Sequence, residues 1–327
     1  ANSDTDVAKT SAMSDEDYNL YDYAEGNDGI IEDPSDLFLE QLDKESSAIM
    51  NKDLYDFHVL ITPDCNEAME VQDAAVACCE ERGDALYILD PPIGLSKDAA
   101  IDWHNGRGYG RSSGLDNTYV AFYWPWGKTY DSYSESYVWA MPSVYMAAQY
   151  CKVDKAAGPW QAPAGDLYGV VPIIDIEVPT TRADRDALYT ETNRVNPFIK
   201  YGDGTIVCYG EKTMQRKNST LTKIHTRRMM IQIKKDLRTA LNSYIFMPST
   251  SSYLSEINAT LNSIMQKYKT AGGISSFKVV CDTTNNTSAT LQQDIINASI
   301  SCVPVGTIEQ INIDCSLDKS SESVSVA

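Results

Sequence analysis

Ala85-Leu86-Tyr87-Ile88-Leu89-Asp90-Pro91-Pro92 is an apolar run of five residues followed by Asp90 and stopped by two prolines. Such a run, without polar alternation, describes a short strand buried on both faces, as parallel sheets require. Just before it, Glu67 to Arg82 carries Ala68, Val71, Ala75 and Cys78/Cys79 at helical spacing and ends ahead of Gly83. Just after it, Ser96 is a good N-cap for a helix to about Asn105. Phe57-His58-Val59-Leu60-Ile61-Thr62-Pro63 upstream and Tyr119-Val120-Ala121-Phe122-Tyr123-Trp124 downstream read as two further strands. Strands alternating with helices predict an α/β fold with a mixed or mostly parallel sheet covered by helices on its faces.

Further along, residues Tyr137 to Val153 read as a helix, and Ile173 to Val178 as extended chain between Pro172 and Pro179. Thr205 to Tyr209 is a strand opening a second, smaller α/β unit. Two long helices follow, Thr222 to Tyr244 and Ser252 to Thr270, the latter closed by Gly272-Gly273. Phe277 to Cys281 is a strand and Thr290 to Ala298 a short helix. Thr307 to Ile313 alternates with period two and reads as a strand. The expected organisation is an acidic, partly ordered segment 1–50, with one helix over Asp36 to Met50. An α/β domain over 51–165, a connector over 166–200 and a C-terminal α/β domain over 201–327 follow. The first thirty residues and the Ser-rich last ten are expected to be loosely ordered.

The formal net charge is -19 and is unevenly spread. Residues 1–70 hold 19 Asp and Glu against Lys9, Lys44 and Lys52. Residues 212–238 hold nine basic residues against Asp236 alone. Such polarity suits docking in one orientation on charged neighbours, and disfavours non-specific nucleic-acid binding. On the helix from Thr222, residues Lys223, Arg227, Arg228, Lys234, Lys235 and Arg238 form the candidate interface. The alternative use of such residues is an ordinary solvated helix face. No run of apolar residues is long enough for a membrane span, and the opening residues do not resemble a secretory leader.

Chemical motifs are sparse. Gly127-Lys128-Thr129 ends like a phosphate loop, but Phe122 stands where the first glycine must be. Gly106-Arg107-Gly108-Tyr109-Gly110 has the wrong spacing for a dinucleotide turn and reads as a flexible surface loop. Asp15 to Asn19 begins like a calcium loop, which Leu20 and Gly26 then break. His58, His104 and His225 stand alone, and the eight cysteines form no C-x-x-C pair, so no metal or cofactor is expected. The cysteines read as reduced core residues. Asp90 at a strand's carboxyl end occupies a common catalytic location, against which stands a turn-capping role.

Several blocks resemble contractile tail sheath proteins of phages. They are Glu80 to Pro92, Gly158-Pro159-Trp160-Gln161-Ala162-Pro163-Ala164-Gly165, Val195-Asn196-Pro197-Phe198, Gly204 to Thr213, Arg227-Arg228, and Tyr244-Ile245-Phe246-Met247-Pro248. They occur in the family's order over about residues 55 to 316 and are most similar to sheaths of giant Pseudomonas phages of the phiKZ type. The resemblance implies a structural, non-enzymatic subunit of the virion, assembled in the host cytoplasm. Its implied partners are other sheath subunits in hexameric rings and a helical stack, the tail tube, the baseplate and the tail terminator. It also implies terminal arms that add strands to sheets of neighbouring subunits. The acidic opening and the absent initiator Met depart from an intact sheath, so a fragment is expected. Two other classes stay open: a virion surface adhesin, suggested by 20 Tyr and five Trp, and a hydrolase using Asp90.

Overall fold

The computed structural model describes residues 35–42, 47–248 and 250–309. Its elements are α1 (Ser35–Leu42), β1 (Val59–Leu60), α2 (Met69–Arg82), β2 (Leu86–Leu89), α3 (Lys97–His104), β3 (Val120–Trp124), β4 (Gly127–Asp131), β5 (Ser136–Ala140), α4 (Pro142–Ala156) and α5 (Gly165–Tyr168). They continue with β6 (Asp175–Ile176), α6 (Arg182–Leu188), β7 (Asn196–Lys200), β8 (Ile206–Cys208), α7 (Ile224–Asn242), α8 (Ser251–Thr270), β9 (Ile274–Val280), α9 (Ser288–Leu291) and β10 (Ser299–Pro304).

The central sheet has five strands in the order β1-β2-β3-β7-β8. The first three pairings are parallel and β7–β8 is antiparallel. Strands β2 and β3 are fully buried, because alternate side chains feed two different cores. Tyr87, Leu89, Val120, Phe122 and Trp124 meet α2 and α3 through Val71, Ala75, Ala100 and Trp103. Leu86, Ile88, Ala121 and Tyr123 meet α4 and α7 through Tyr145, Met146, Tyr150, Ile224 and Ile231. The layering is helix, sheet, helix, as the apolar run at 85–89 predicts. Local signals mark the boundaries: Ser96 Oγ accepts from Ala99 N at 3.3 Å to cap α3, and Gly83 closes α2 at φ 64°.

Beyond β8, α7 and α8 pack on the two-stranded antiparallel sheet β9–β10, around Met229, Ile233, Met265, Tyr268 and Ile274. A smaller cluster of Leu254, Ile257, Leu261 and Cys281 extends it. Helix α7 therefore serves two cores, with Ile224 and Ile231 turned to the central sheet and Met229 and Ile233 to the smaller one.

Several expectations need correction. Tyr137 to Val153 is not one helix: residues 136–140 are strand β5, paired antiparallel with β4, and the helix begins at Pro142. The strand near 205–209 does not open a separate sheet. It lies at the edge of the central one, where Phe198, Ile206 and Cys208 share a core with Tyr123. The segment 166–200 carries β6 and β7, and β7 is a strand of that central sheet. The helix placed over 36–50 divides into α1 and a 3-10 turn at Ala48–Met50. The helix at 290–298 is the short α9, followed by β10. Residues 307–309 are in no strand, and 310–313 lie outside the described residues, as do the first thirty and last ten.

The glycine-rich stretch is no free loop. Gly106 has φ +74°, and a Cβ there would lie 2.2 Å from the backbone of Ser113 and Gly114. Replacing Gly106 by Ala combines left-handed strain with a backbone collision, and should cost about 2 kcal/mol in a urea unfolding titration.

Candidate assembly interface

Among the described residues no three His, Cys, Asp or Glu side chains group as metal ligands, and no helix is long and apolar enough to cross a membrane. Gly127-Lys128-Thr129 lies in strand β4, where Gly127 is a packing residue: a Cβ there would meet Ile173 at 2.7 Å. The three histidines are far from uniform. His58 Nε2 meets Gln232 Oε1 at 2.8 Å, and His225 Nδ1 donates to Glu211 Oε2 at 2.6 Å. His104 is buried beside Phe122 with neither ring nitrogen hydrogen-bonded, and burial pushes its pKa down to about 4. The cysteines among the described residues are free thiols.

Asp90 is 2% exposed. Its Oδ1 accepts from Ser143 N at 2.8 Å in the first turn of α4, so it caps that helix from the end of β2. Burial raises its pKa to about 7, against the pull of the Ser143 contact.

The six basic residues of the candidate interface fall into two groups. Arg227 and Arg228 are 6% and 5% exposed. The Arg227 guanidinium lies 4.0 Å from the centre of the Tyr119 ring and donates to Thr118 Oγ1. Arg228 lies 4.2 Å from the centre of the Tyr150 ring and pairs with Asp154. Both guanidinium groups are used inside the chain, fastening α7 to the central sheet and to α4. Lys235 reaches back to Asp56 and to Phe57 O, and half-buried Lys223 pairs with Glu309. Lys234 and Arg238 are exposed. Lys234 has only a 3.4 Å contact with Tyr119 OH, and Arg238 pairs with Asp53, itself 81% exposed.

Two surface features are marked in the sequence only in part. The β4–β5 hairpin sets Lys128, Tyr130, Tyr137 and Trp139 on one face, since Lys128 pairs with Trp139 and Tyr130 with Tyr137. Lys128 Nζ lies 5.5 Å from the Trp139 ring and 5.8 Å from that of Tyr137. Period-two alternation of aromatic residues and the helix-starting Pro142 are the signals that mark this hairpin. The second feature is the sheet β9–β10, whose outer edges are both unpaired among the described residues. Ile300 and Cys302, alternating with polar residues, announce its second strand.

A central α/β layer passing through a shared helix into a smaller α/β unit is a fold that known structures share. It superposes with a TM-score of 0.70 on a chain of the anti-feeding prophage baseplate in its contracted state, at 15% identity, covering 88% of this chain and 78% of that one. The score is 0.65 for the helical sheath of the same particle in its contracted state, at 18% identity, with 91% and 86% covered. Residues 216–317 match the phage tail sheath C-terminal domain family. The chain is 26% identical over 280 residues to the tail sheath protein of Enterobacteria phage T4, covering 81% of this chain and 42% of that protein. It is 30% identical over 252 residues to the tail sheath protein of Vibrio phage KVP40, covering 71% and 37%. It is thus a relative of the phage tail sheath proteins, and spans about two fifths of the length of the curated relatives it matches.

Proposed function

We propose that this chain is part of a structural subunit of a contractile phage tail sheath, which polymerises around the tail tube. Contraction repacks the subunits and drives the tube through the host envelope. Kinship to phage tail sheath proteins over 81% of the chain carries this reading. Each copy presents one heterologous contact surface, so copies close into rings and propagate as a helix. Strand addition by terminal arms keeps copies tethered while other contacts break, and the extended lattice is a kinetically held state. The other partners in this reading are the tail tube, the baseplate and the tail terminator, in a virion built in the host cytoplasm. The placement near sheaths of giant Pseudomonas phages rests on sequence blocks alone; the relatives aligned above come from phages T4 and KVP40. Nothing in the reading requires catalysis, and the geometry of Asp90 is that of a helix cap.

Negative-stain imaging of the complete gene product expressed alone tests the proposal. Tubes with helical striations support it. Fibres or spikes would instead favour an adhesin, for which the aromatic face of the β4–β5 hairpin is the relevant surface.

Within this reading Lys234 and Arg238 are the exposed members of the basic helix that face the tube or an acidic neighbouring subunit. Lys223, Arg227, Arg228 and Lys235 hold the subunit's own shape. Reversing Lys234 and Arg238 together to Glu should weaken decoration of purified tubes about tenfold, most clearly at low salt, and leave the unfolding midpoint unchanged. Undiminished decoration removes these two residues from the interface.

A further inference from the structure

Residues 51–57 lie along α7 and form no helix or strand. They run against the direction of the helix, with their charges in register with it. Asp53 pairs with Arg238, Asp56 pairs with Lys235, and His58 Nε2 meets Gln232 Oε1 at 2.8 Å. Lys235 also donates to Phe57 O at 2.6 Å. Two carboxylates three residues apart thus sit on two cations three residues apart, which is one turn of α7.

The main chain of this segment is bolted from the other side. Arg82, the last residue of α2, donates to Ile49 O and, at 3.0 Å, to Tyr55 O. Its guanidinium lies 4.3 Å from the centre of the Phe57 ring and pairs with Asp84 at 2.9 Å. Asn51 Oδ1 accepts from Asp53 N at 3.0 Å and from Leu54 N at 3.2 Å, which sets the turn. The path of the chain is therefore fixed, while Asp53 and Asp56 themselves are exposed. Exposed ion pairs are weak and screened by salt, so these two carboxylates can leave α7 without any movement of the backbone. The Lys235 hydrogen bond holds the Asp56 carboxyl below its usual range.

The segment shows by example what the basic face of α7 accepts: carboxylates on a protein chain, spaced to match one helical turn. It also takes up part of that face. Among the described residues Lys234 has no carboxylate partner, whereas Arg238 is held by Asp53 and Lys235 by Asp56. An acidic surface that reaches Arg238 and Lys235 has to displace both.

We propose that Asp53 and Asp56 are an internal competitor for the basic face of α7, occupying Arg238 and Lys235 in the free chain and giving way to the carboxylates of an acidic protein partner. The inference rests on the reading that Lys234 and Arg238 face such a partner, and adds how that face is guarded. A lone carboxylate gains nothing by replacing one already in place. A partner with several carboxylates at matching spacing engages Lys234 as well and wins, so the competition selects partners by their charge pattern.

The test titrates fluorescein-labelled poly-L-glutamate with the complete protein and with its Asp53→Asn/Asp56→Asn variant at low ionic strength, reading anisotropy. The variant should bind about fivefold more tightly, with its melting temperature preserved. A control, Glu70→Gln/Asp98→Asn, makes the same change in net charge on α2 and α3, which pack on the opposite face of the central sheet from α7. It should bind as the wild type does. Adding Lys234→Gln/Arg238→Gln to the Asp53→Asn/Asp56→Asn variant should abolish the gain. Equal tightening in the control means that bulk charge is responsible and that the segment does not compete. Unchanged affinity in the Asp53→Asn/Asp56→Asn variant, with binding still lost on Lys234→Gln/Arg238→Gln, overturns the competition and leaves the interface standing. If no protein binds the polymer at low salt, the basic face is not a docking surface and both readings fail.

Discussion

Replacing Arg228 by Ala should lower unfolding stability by about 2 kcal/mol, because it removes a buried guanidinium from an ion pair whose carboxylate is half-buried. The guanidinium is 5% exposed, sits over the Tyr150 ring and pairs with Asp154. Its removal leaves the Asp154 carboxylate without its cation and opens a void between α7 and α4. A urea titration followed by tryptophan fluorescence reads the loss directly. The measurement also separates two uses of a basic residue. A charge that serves only a neighbouring subunit would leave the isolated chain as stable as before, so an unchanged midpoint would return Arg228 to the surface. The expected loss explains why charge reversal at Arg227 and Arg228 would confound any assembly assay: the variants would fail as folded chains first.

Asp90→Asn should change how stability depends on pH. Asp90 has a folded-state pKa of about 7, above its ordinary value of 3.8. As pH rises from 4 to 7 the unfolded chain gives up this proton before the folded one does. The wild type therefore loses stability across that window, and the loss is complete above pH 7. Asn keeps an oxygen for the Ser143 N–H and has no proton to lose. The difference in stability between variant and wild type should thus move by about 3 kcal/mol in the variant's favour between pH 4 and pH 8. Parallel stability curves for the two proteins would show that Asp90 is not a buried carboxyl in solution. This is also the enzyme test in another form, since a catalytic Asp90 must be reachable by solvent and substrate.

The central strands were legible because burial on both faces leaves a composition no loop shares. Ala85 to Leu89 and Tyr119 to Trp124 are apolar throughout, and prolines and helix caps punctuate them. Helices α7 and α8 were legible from spacing, since each repeats apolar residues over about five turns. The hairpin was not, because Tyr137 and Trp139 face solvent while Tyr145 and Met146 are core, and the two patterns run together into one apparent helix. The sheet membership of β8 was hidden for another reason: Ile206-Val207-Cys208 announces a strand but not its neighbour. The candidate site was partly readable. Nine basic residues between 212 and 238 made α7 the candidate contact helix, but the sign of a charge does not name its partner. Tyr119, Tyr150 and Asp154 lie far away in the chain, and only the fold brings them to Arg227 and Arg228.

Helix α7 has a mechanical consequence. Its side chains are rooted in both hydrophobic interiors, and guanidinium groups rivet its first turns to Tyr119 and Asp154. A load applied to β9–β10 is passed through that helix into the five-stranded sheet. The two cores should therefore move as one stiff body under such a load.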